Sequence, residues 1–238
     1  MAYTTIPKST DYFNTKLYSG TSAIQTVSGV GFEPSWIWTK SRTNAGNNRL
    51  VDQPRGLTKY IRTNGSNVEQ TYTNAITAVN SDGFVLGADS SNDFNANGQN
   101  YVSWNWKANG QGSSNTEGSI NTTYTSASTT SGFSIVTYTG TGANADVGHG
   151  LGKVPKIIMV KQLNGTNDWR VYTATTGNTS QMSLNTASAA DSGNTTMWNS
   201  TTPTANLFYL GTHGSVNGSS NTYVAYCFAD VQGFSKMG

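Results

Sequence analysis

Few side chains in this sequence could carry out acid–base chemistry near neutral pH. Among its 238 residues are only two histidines, His149 and His213, and histidine is the side chain that ordinarily titrates in that range. His149 lies in the glycine-rich stretch GHGLG, residues 148–152, and the sequence contains no Gly-x-Ser-x-Gly nucleophile elbow. We therefore predict that His149 is a loop or interface residue, and we assign no catalytic residue.

One polar loop brings two carboxylates close together in sequence. Asp89 and Asp93 lie in the segment 87–98, and glycoside hydrolysis requires a pair of acidic residues. A polar connection also needs solvated groups of this kind, so the pair is weak evidence for chemistry. A polysaccharide depolymerase is accordingly the least favoured function, and we expect the chain not to be an enzyme.

The same loop contains half of a calcium-binding pattern. Asp93, Asn95 and Asn97, followed by glycine, match the start of an oxygen-ligand loop. The pattern then fails, because Trp104 occupies the place of the bidentate glutamate. We keep Ca²⁺ bound by these three residues as a hypothesis, with an ordinary hairpin loop as the favoured alternative, and expect no other cofactor.

The composition is polar but poor in charge. Charged residues are 11% of the chain, against roughly 25% for an ordinary globular protein, while Thr, Ser, Asn and Gly supply 114 of 238 residues. A net charge of +2 without a basic run predicts no binding to nucleic acid. We expect neither membrane insertion nor secretion, because no apolar stretch approaches about 18 residues and the first residues do not resemble a signal peptide. A single cysteine excludes an internal disulfide.

The same composition predicts an all-β fold. Hydrophobic residues are 35% and aromatic residues 11% of the chain, which is typical of a folded protein rather than a disordered one. Thr, Val and aromatic residues favour strands, and Gly and Asn favour turns. Helical periodicity is almost missing.

Four blocks of sequence recur in the same order at offsets of 120 to 124 residues. They are residues 13–20 with 133–140, 34–40 with 155–161, 83–87 with 207–211, and 100–106 with 222–228. The recurrence predicts two duplicated, jelly-roll-like antiparallel β-sandwich lobes in tandem. The N-terminal copy is 1–108, a Gly/Ser/Thr-rich connection is 109–132, and the C-terminal copy is 133–238. Whether the copies form two sandwiches or the halves of one stays open.

Two tryptophans are the candidate carbohydrate-binding residues. Trp169 and Trp198 have no tryptophan at the matching place of the first copy, and aromatic rings beside Asn and Asp suit sugar binding. Burial in the core is the favoured alternative for both.

Six stretches of the sequence carry a family resemblance. They read MAYTTI (1–6), YFNTKLY (12–18), GVGFEPSWIWTKSR (29–42), SDGFVLG (81–87), GHGLG (148–152) and YVAYCFA (223–229). Together they resemble a family of β-rich virion structural or tail-fibre-like proteins that tailed bacteriophages encode, notably those that infect marine bacteria. The segment 51–56 departs from the family pattern, because Gln-Pro interrupts it.

The resemblance implies a non-enzymatic bacteriophage virion structural protein that belongs to a fibre, spike or decoration appendage. Such a protein assembles in the host cytoplasm, is exposed on the extracellular particle and contacts other virion proteins. Family analogy also implies a homo-oligomer, with three-fold symmetry as the common arrangement. The alternative function is a carbohydrate-binding host-recognition module that contacts a host surface glycan. The position on the particle stays open.

Overall fold

The computed structural model describes residues 4–89, 91 and 93–237, which form two compact units. The N-terminal unit comprises residues 8–64 and 69–110, and the C-terminal unit comprises 111–237 together with 4–7 and 65–68. The named strands pair only in the antiparallel sense in the part of the chain that the structure describes. The prediction of an all-β, antiparallel chain is confirmed.

The N-terminal unit is a sandwich of a six-stranded and a three-stranded sheet. After a 3₁₀ turn (Ser9–Asp11), its strands are β1 (Phe13–Ser19), β2 (Gln25–Val27), β3 (Trp36–Ser41), β4 (Arg49–Asp52), β5 (Lys59–Arg62), β6 (Gln70–Thr71), β7 (Ile76–Asn80), β8 (Gly83–Leu86) and β9 (Asn100–Trp106). The large sheet has the order β1-β9-β3-β4-β5-β6, and the small one has the order β2-β8-β7. Ile37 and Val51 from the large sheet pack with Ile76 and Phe84 from the small one in a buried core.

The C-terminal unit is built in the same way. Its elements are β10 (Tyr124–Ser128), β11 (Phe133–Thr139), β12 (Ala145–Gly148), β13 (Pro155–Gln162), β14 (Arg170–Thr173), β15 (Ser180–Ser183), β16 (Asp191–Ser192), β17 (Leu207–Leu210), the one-turn helix α1 (Gly214–Asn217) and β18 (Thr222–Ala229). The large sheet has the order β10-β11-β18-β13-β14-β15-β16, and β12 pairs with β17. Val136 and Ile158 pack with Val147 and Phe208 across this second core.

The strand orders of the two large sheets correspond. The order β1-β9-β3-β4-β5-β6 matches β11-β18-β13-β14-β15-β16 position for position, and β10 is an addition at one edge. A tandem duplication would produce this correspondence, and the duplication itself stays a prediction from the sequence offsets.

The predicted connection 109–132 contains a strand of the C-terminal sheet. Its residues from 111 onward belong to the C-terminal unit, and β10 pairs with β11 along five residues. The strand reads Tyr-Thr-Ser-Ala-Ser, so a composition that indicates a linker has here formed an edge strand.

Candidate functional site

Asp89, one member of the predicted acidic pair, is a buried structural carboxylate. One of its oxygens accepts hydrogen bonds from the Tyr72 hydroxyl (2.8 Å) and the Ser91 N–H (2.7 Å). The other accepts from the N–H groups of Phe94 (3.1 Å) and Asn95 (3.2 Å). Because the side chain is fully buried and accepts four hydrogen bonds, it shapes the loop after β8 and has no open side for a substrate.

Asn95 closes the same loop against the segment that follows β1. Its Oδ1 accepts a hydrogen bond from the Thr21 N–H (3.0 Å), and its Nδ2 donates to the carbonyl oxygens of Ala23 (2.6 Å) and Gly87 (2.8 Å). The backbone approaches closely at this point, since a Cβ on Gly20 would lie 2.2 Å from the Ala96 carbonyl oxygen. The asparagine therefore acts as a clamp that joins the ends of β1 and β8.

Asn217 is the matching clamp of the C-terminal unit. Its Oδ1 accepts from the Thr141 N–H (2.9 Å), and its Nδ2 donates to the carbonyl oxygens of Ala143 (2.6 Å) and Gly211 (2.9 Å). Thr141, Ala143 and Gly211 follow Thr21, Ala23 and Gly87 by 120 to 124 residues, the same offsets as in the sequence repeat. Both units therefore fix the same loop by the same side-chain chemistry.

A pair of stacked tyrosines supports each clamp. In the N-terminal unit the rings of Tyr18 and Tyr101 lie 5.1 Å apart, and the Tyr18 hydroxyl donates to the Phe94 carbonyl (3.0 Å). In the C-terminal unit the rings of Tyr138 and Tyr223 lie 5.2 Å apart. Burial raises the pKa of Tyr18 and of Tyr138 well above the usual value, so both hydroxyls stay protonated and act as hydrogen-bond donors.

The calcium hypothesis does not fit the contacts of Asp93, Asn95 and Asn97. The Asn95 oxygen faces an N–H donor, whereas a cation needs converging lone pairs. The Asn97 backbone N–H donates to the Ser22 hydroxyl (2.9 Å), and the Asn97 side chain is exposed. No group of three or more His, Cys, Asp or Glu side chains among the described residues could hold a metal.

Asp93 instead neutralises a buried cation. Its carboxylate forms an ion pair with the guanidinium of Arg49, which is almost fully buried on β4. The same guanidinium lies over the Tyr60 ring, with Cζ 4.7 Å from the ring centroid. The charge of Asp93 therefore serves the interior of the N-terminal unit rather than a ligand or a reaction.

The segment that departs from the family pattern forms a buried ion pair at a turn. Asp52 accepts hydrogen bonds from the backbone N–H of Arg55 (3.0 Å) and from its Nε (2.6 Å). Arg55 also contacts Glu69 through Nη1 (3.0 Å) and donates from Nη2 to the Leu50 carbonyl oxygen (3.1 Å). In the C-terminal unit this turn has a neutral pair of hydroxyls, Thr173 and Thr176, with their oxygens 2.9 Å apart.

Both histidines accept a backbone hydrogen bond through Nδ1. His149 accepts from the Leu151 N–H (3.2 Å), and its Nε2 lies 3.2 Å from the Thr204 carbonyl oxygen, so the proton is assigned to Nε2. His213 precedes helix α1 and accepts from the Ser215 N–H (3.1 Å). Protonation of either Nδ1 would remove an acceptor. The two histidines therefore hold turns in their neutral form.

This arrangement predicts that the C-terminal unit loses stability in mild acid. Burial lowers the pKa of His149 and of His213 below the ordinary 6.5, with nearby Glu117 opposing the shift at His149 and nearby Arg170 adding to it at His213. The unfolded chain therefore binds more protons than the folded one as the pH falls from about 6.5 to the folded pKa values. We expect the urea midpoint to be lower at pH 5.5 than at pH 7.5.

A double variant provides the control for this acid effect. His149→Gln combined with His213→Asn removes both titrating groups and keeps an acceptor at the helix N-cap. Its midpoint should change less between the two pH values than that of the natural chain. An equal change in both proteins would contradict the role assigned to the histidines.

The two tryptophans predicted as a sugar platform are buried. Trp169 is 0% and Trp198 is 2% exposed. Trp169 stacks on Tyr226 with ring centroids 6.1 Å apart, and the Trp198 indole N–H donates to the Ser180 carbonyl (3.0 Å). An indole without an exposed face cannot stack on a sugar, so the favoured alternative of core packing describes both residues.

A comparison with known families covers almost the whole chain. A family model described as Domain of unknown function (DUF7483) matches residues 8–238. The chain belongs to the DUF7483 family. No curated protein and no solved structure matches it. The match covers the whole N-terminal unit and all of the C-terminal unit from residue 65 onward.

Two further buried groups of this DUF7483 chain have reactive side chains. Lys161 donates from Nζ to the carbonyl oxygens of Gln162 (2.7 Å) and Gly165 (3.2 Å), and burial lowers its pKa to about 8. Burial raises the pKa of the Cys227 thiol to about 12. The lysine holds the loop after β13, and the thiol is protonated and shielded, so neither is available as a nucleophile.

Two surface depressions in the described part of the chain contain no convergent set of catalytic groups. A pocket of about 620 Å³ is lined by residues 230–236, and a smaller one of about 340 Å³ by residues 191–196. In the first, the Asp230 carboxylate already accepts the Met237 N–H (2.7 Å). In the second, the Asn194 Oδ1 accepts a hydrogen bond from the N–H of Thr196 (3.1 Å).

Among the described residues, no helix is long and apolar enough to cross a membrane.

Sequence reasoning missed the clamps, although a signal for them exists. Thr and Ala two residues apart follow both β1 and β11, as Thr21-x-Ala23 and Thr141-x-Ala143, and an asparagine precedes both β9 and β18 at the repeat offset. Read across the two copies, this shared set of residues indicates a common loop closure. The Asn95 position was interpreted only as a calcium ligand, because the pattern within one loop does not show which backbone groups of distant segments the amide faces.

Proposed function

We propose that the chain is a non-enzymatic structural protein of a bacteriophage particle, part of a fibre, spike or decoration appendage on its exposed surface. This proposal rests on the contacts of the potentially reactive side chains, which bind backbone groups or neutralise a buried charge. Asp89, His149 and His213 each hold backbone N–H groups, and Asp93 pairs with Arg49. Groups used in this way stiffen loops, which suits a scaffold better than a catalyst.

The closure of both units by equivalent contacts adds support. Asn95 and Asn217 bind the same three kinds of partner, and the stacked tyrosines beside them repeat as well. Loops tied by neutral hydrogen bonds depend little on ionic strength, because salt screens charges rather than amide contacts. A particle component exposed to salty water would benefit from such loops.

The phage context comes from the family resemblance of the sequence. It supplies the partners of the proposal, namely other virion proteins and further copies of this chain. The host-glycan alternative finds no support in Trp169 and Trp198, whose rings are buried. We therefore favour a structural contact role over glycan recognition.

Labelling of intact particles tests the proposal. Antibodies raised against the purified chain should decorate particles of a phage that encodes it, at one type of site visible by electron microscopy. The purified chain should release no reducing ends from host polysaccharide. Absence of label on intact and on disrupted particles would overturn the structural role, and release of reducing ends would overturn the non-enzymatic one.

A further inference from the structure

The two large sheets differ at one edge. In the C-terminal unit, β11 is covered by the antiparallel strand β10. In the N-terminal unit, β1 occupies the matching place, and within the described residues it pairs only with β9. An uncovered strand edge is a template for pairing with another chain.

The backbone of β1 alternates between its partner strand and this open edge. At the two ends of β1, the Tyr12 carbonyl oxygen accepts a hydrogen bond from the Lys107 N–H, and the Gly20 N–H donates to the Gln99 carbonyl oxygen. Because hydrogen-bonding residues alternate along an antiparallel strand, the even-numbered residues face β9. Thr15, Leu17 and Ser19 therefore direct their N–H and C=O groups away from the sheet.

Two of these outward groups are already satisfied by side chains. The Asn14 Oδ1 accepts the Thr15 N–H (2.9 Å), and the Gln25 Nε2 donates to the Ser19 carbonyl oxygen (3.0 Å). Between Thr15 and Ser19, the remaining outward groups are the Thr15 carbonyl, both groups of Leu17 and the Ser19 N–H. For these four, the described residues supply no hydrogen-bond partner.

Apolar side chains are exposed beside these open groups. Leu17 is 61% exposed on β1, and Ile24, in the loop that follows, is 74% exposed. No other large hydrophobic side chain among the described residues reaches 40%. Exposed apolar residues on an open strand edge indicate a surface that another chain covers.

We propose that β1 pairs antiparallel with β1 of a second copy of this chain, with Leu17 opposite Leu17. In this register each Leu17 N–H donates to the Leu17 carbonyl of the other copy, and each Ser19 N–H donates to the Thr15 carbonyl. These bonds use the four open groups of Thr15, Leu17 and Ser19. The Thr15 N–H and the Ser19 carbonyl oxygen, which Asn14 and Gln25 already satisfy, face each other, so between Thr15 and Ser19 no open group lies opposite a satisfied one.

Charge and packing favour this register over its neighbours. Moving the pairing by two residues in one direction would place Lys16 opposite Lys16, and like charges directly opposite are destabilising. The proposed register places Lys16 opposite Tyr18 of the second copy and brings the two exposed leucines together. A contact of one short strand belongs to the small, weak class of interfaces, which gains strength when repeated in an assembly. This proposal does not rest on the phage role.

Sedimentation analysis of the full chain tests the pairing. The natural chain should show a concentration-dependent monomer–dimer equilibrium, and Leu17→Lys should raise its dissociation constant at least about tenfold. Leu184→Lys changes a 38%-exposed leucine of the C-terminal unit and should leave the constant unchanged. A natural chain that stays monomeric at millimolar concentration would overturn the proposal, as would a dimer that Leu17→Lys does not weaken.

Cross-linking tests the register independently of affinity. Residues opposite each other in a hydrogen-bonded antiparallel pair have Cα atoms about 5.5 Å apart, which a disulfide can span. Leu17→Cys should therefore give a disulfide-linked dimer under mild oxidation. Leu184→Cys should not, and the buried Cys227 should contribute nothing. Equal cross-linking of both variants would contradict the two-fold contact at Leu17.

Discussion

Asp89→Asn is expected to destabilise the N-terminal unit by about 2–4 kcal/mol, because buried donors left without an acceptor cost about 1–3 kcal/mol each. The carboxylate accepts from three backbone N–H groups and the Tyr72 hydroxyl. An amide of the same shape presents its own N–H groups to at least two of these donors. The free energy of unfolding in urea measures the loss.

A matched substitution on the surface provides the control. Asp11→Asn makes the same chemical change at an exposed side chain, whose ion pair with Lys8 spans 3.7 Å. We expect a change within about 0.5 kcal/mol there, as for most surface substitutions. If Asp89→Asn proved as mild as Asp11→Asn while abolishing an activity on polysaccharide, Asp89 would be catalytic and the structural assignment would be wrong.

Arg55→Thr is expected to cost about 3 kcal/mol or more, because it leaves the buried Asp52 carboxylate without its cation. The Nε of Arg55 lies 2.6 Å from Asp52, and both side chains are almost completely buried. Chemical denaturation of the single variant and of the natural chain gives the difference.

The matching turn of the C-terminal unit suggests a second substitution that should offset the loss of Arg55. This turn carries the hydroxyl pair of Thr173 and Thr176 and keeps the turn hydrogen bond from the Thr176 N–H (3.1 Å). Asp52→Thr combined with Arg55→Thr reproduces this pair and removes the stranded charge. The double variant should be more stable than Arg55→Thr alone by at least about 1 kcal/mol. Simple additivity of the two single changes would contradict coupling across the pair.

Local patterns were enough to predict the main strands. Residues that favour strands, such as Phe, Thr and Tyr, recur in β1 and β11, and the turn Asn80 to Gly83 joins β7 and β8 in a hairpin, with those two residues paired. Such features depend on neighbours in sequence, where turn chemistry and side-chain alternation act directly. The recurrence at offsets near 120 likewise pointed to two units of matching strand order.

Long-range partners could not be predicted in the same way. Asp93 pairs with Arg49, and Asn95 with Thr21, across separations of 44 and 74 residues. A loop pattern such as Asp-x-Asn-x-Asn specifies oxygen atoms but not what faces them. The burial of Trp169 and Trp198 has the same origin, because exposure is a property of the packed unit.

The copy number of the chain in purified phage particles tests the central claim most directly. Quantitative mass spectrometry of particles from density gradients, washed in low and in high salt, gives this number relative to the main capsid protein. We expect a fixed, salt-resistant number of copies per particle. Absence of the chain from intact particles, or its complete removal by washing, would contradict a structural role in the virion.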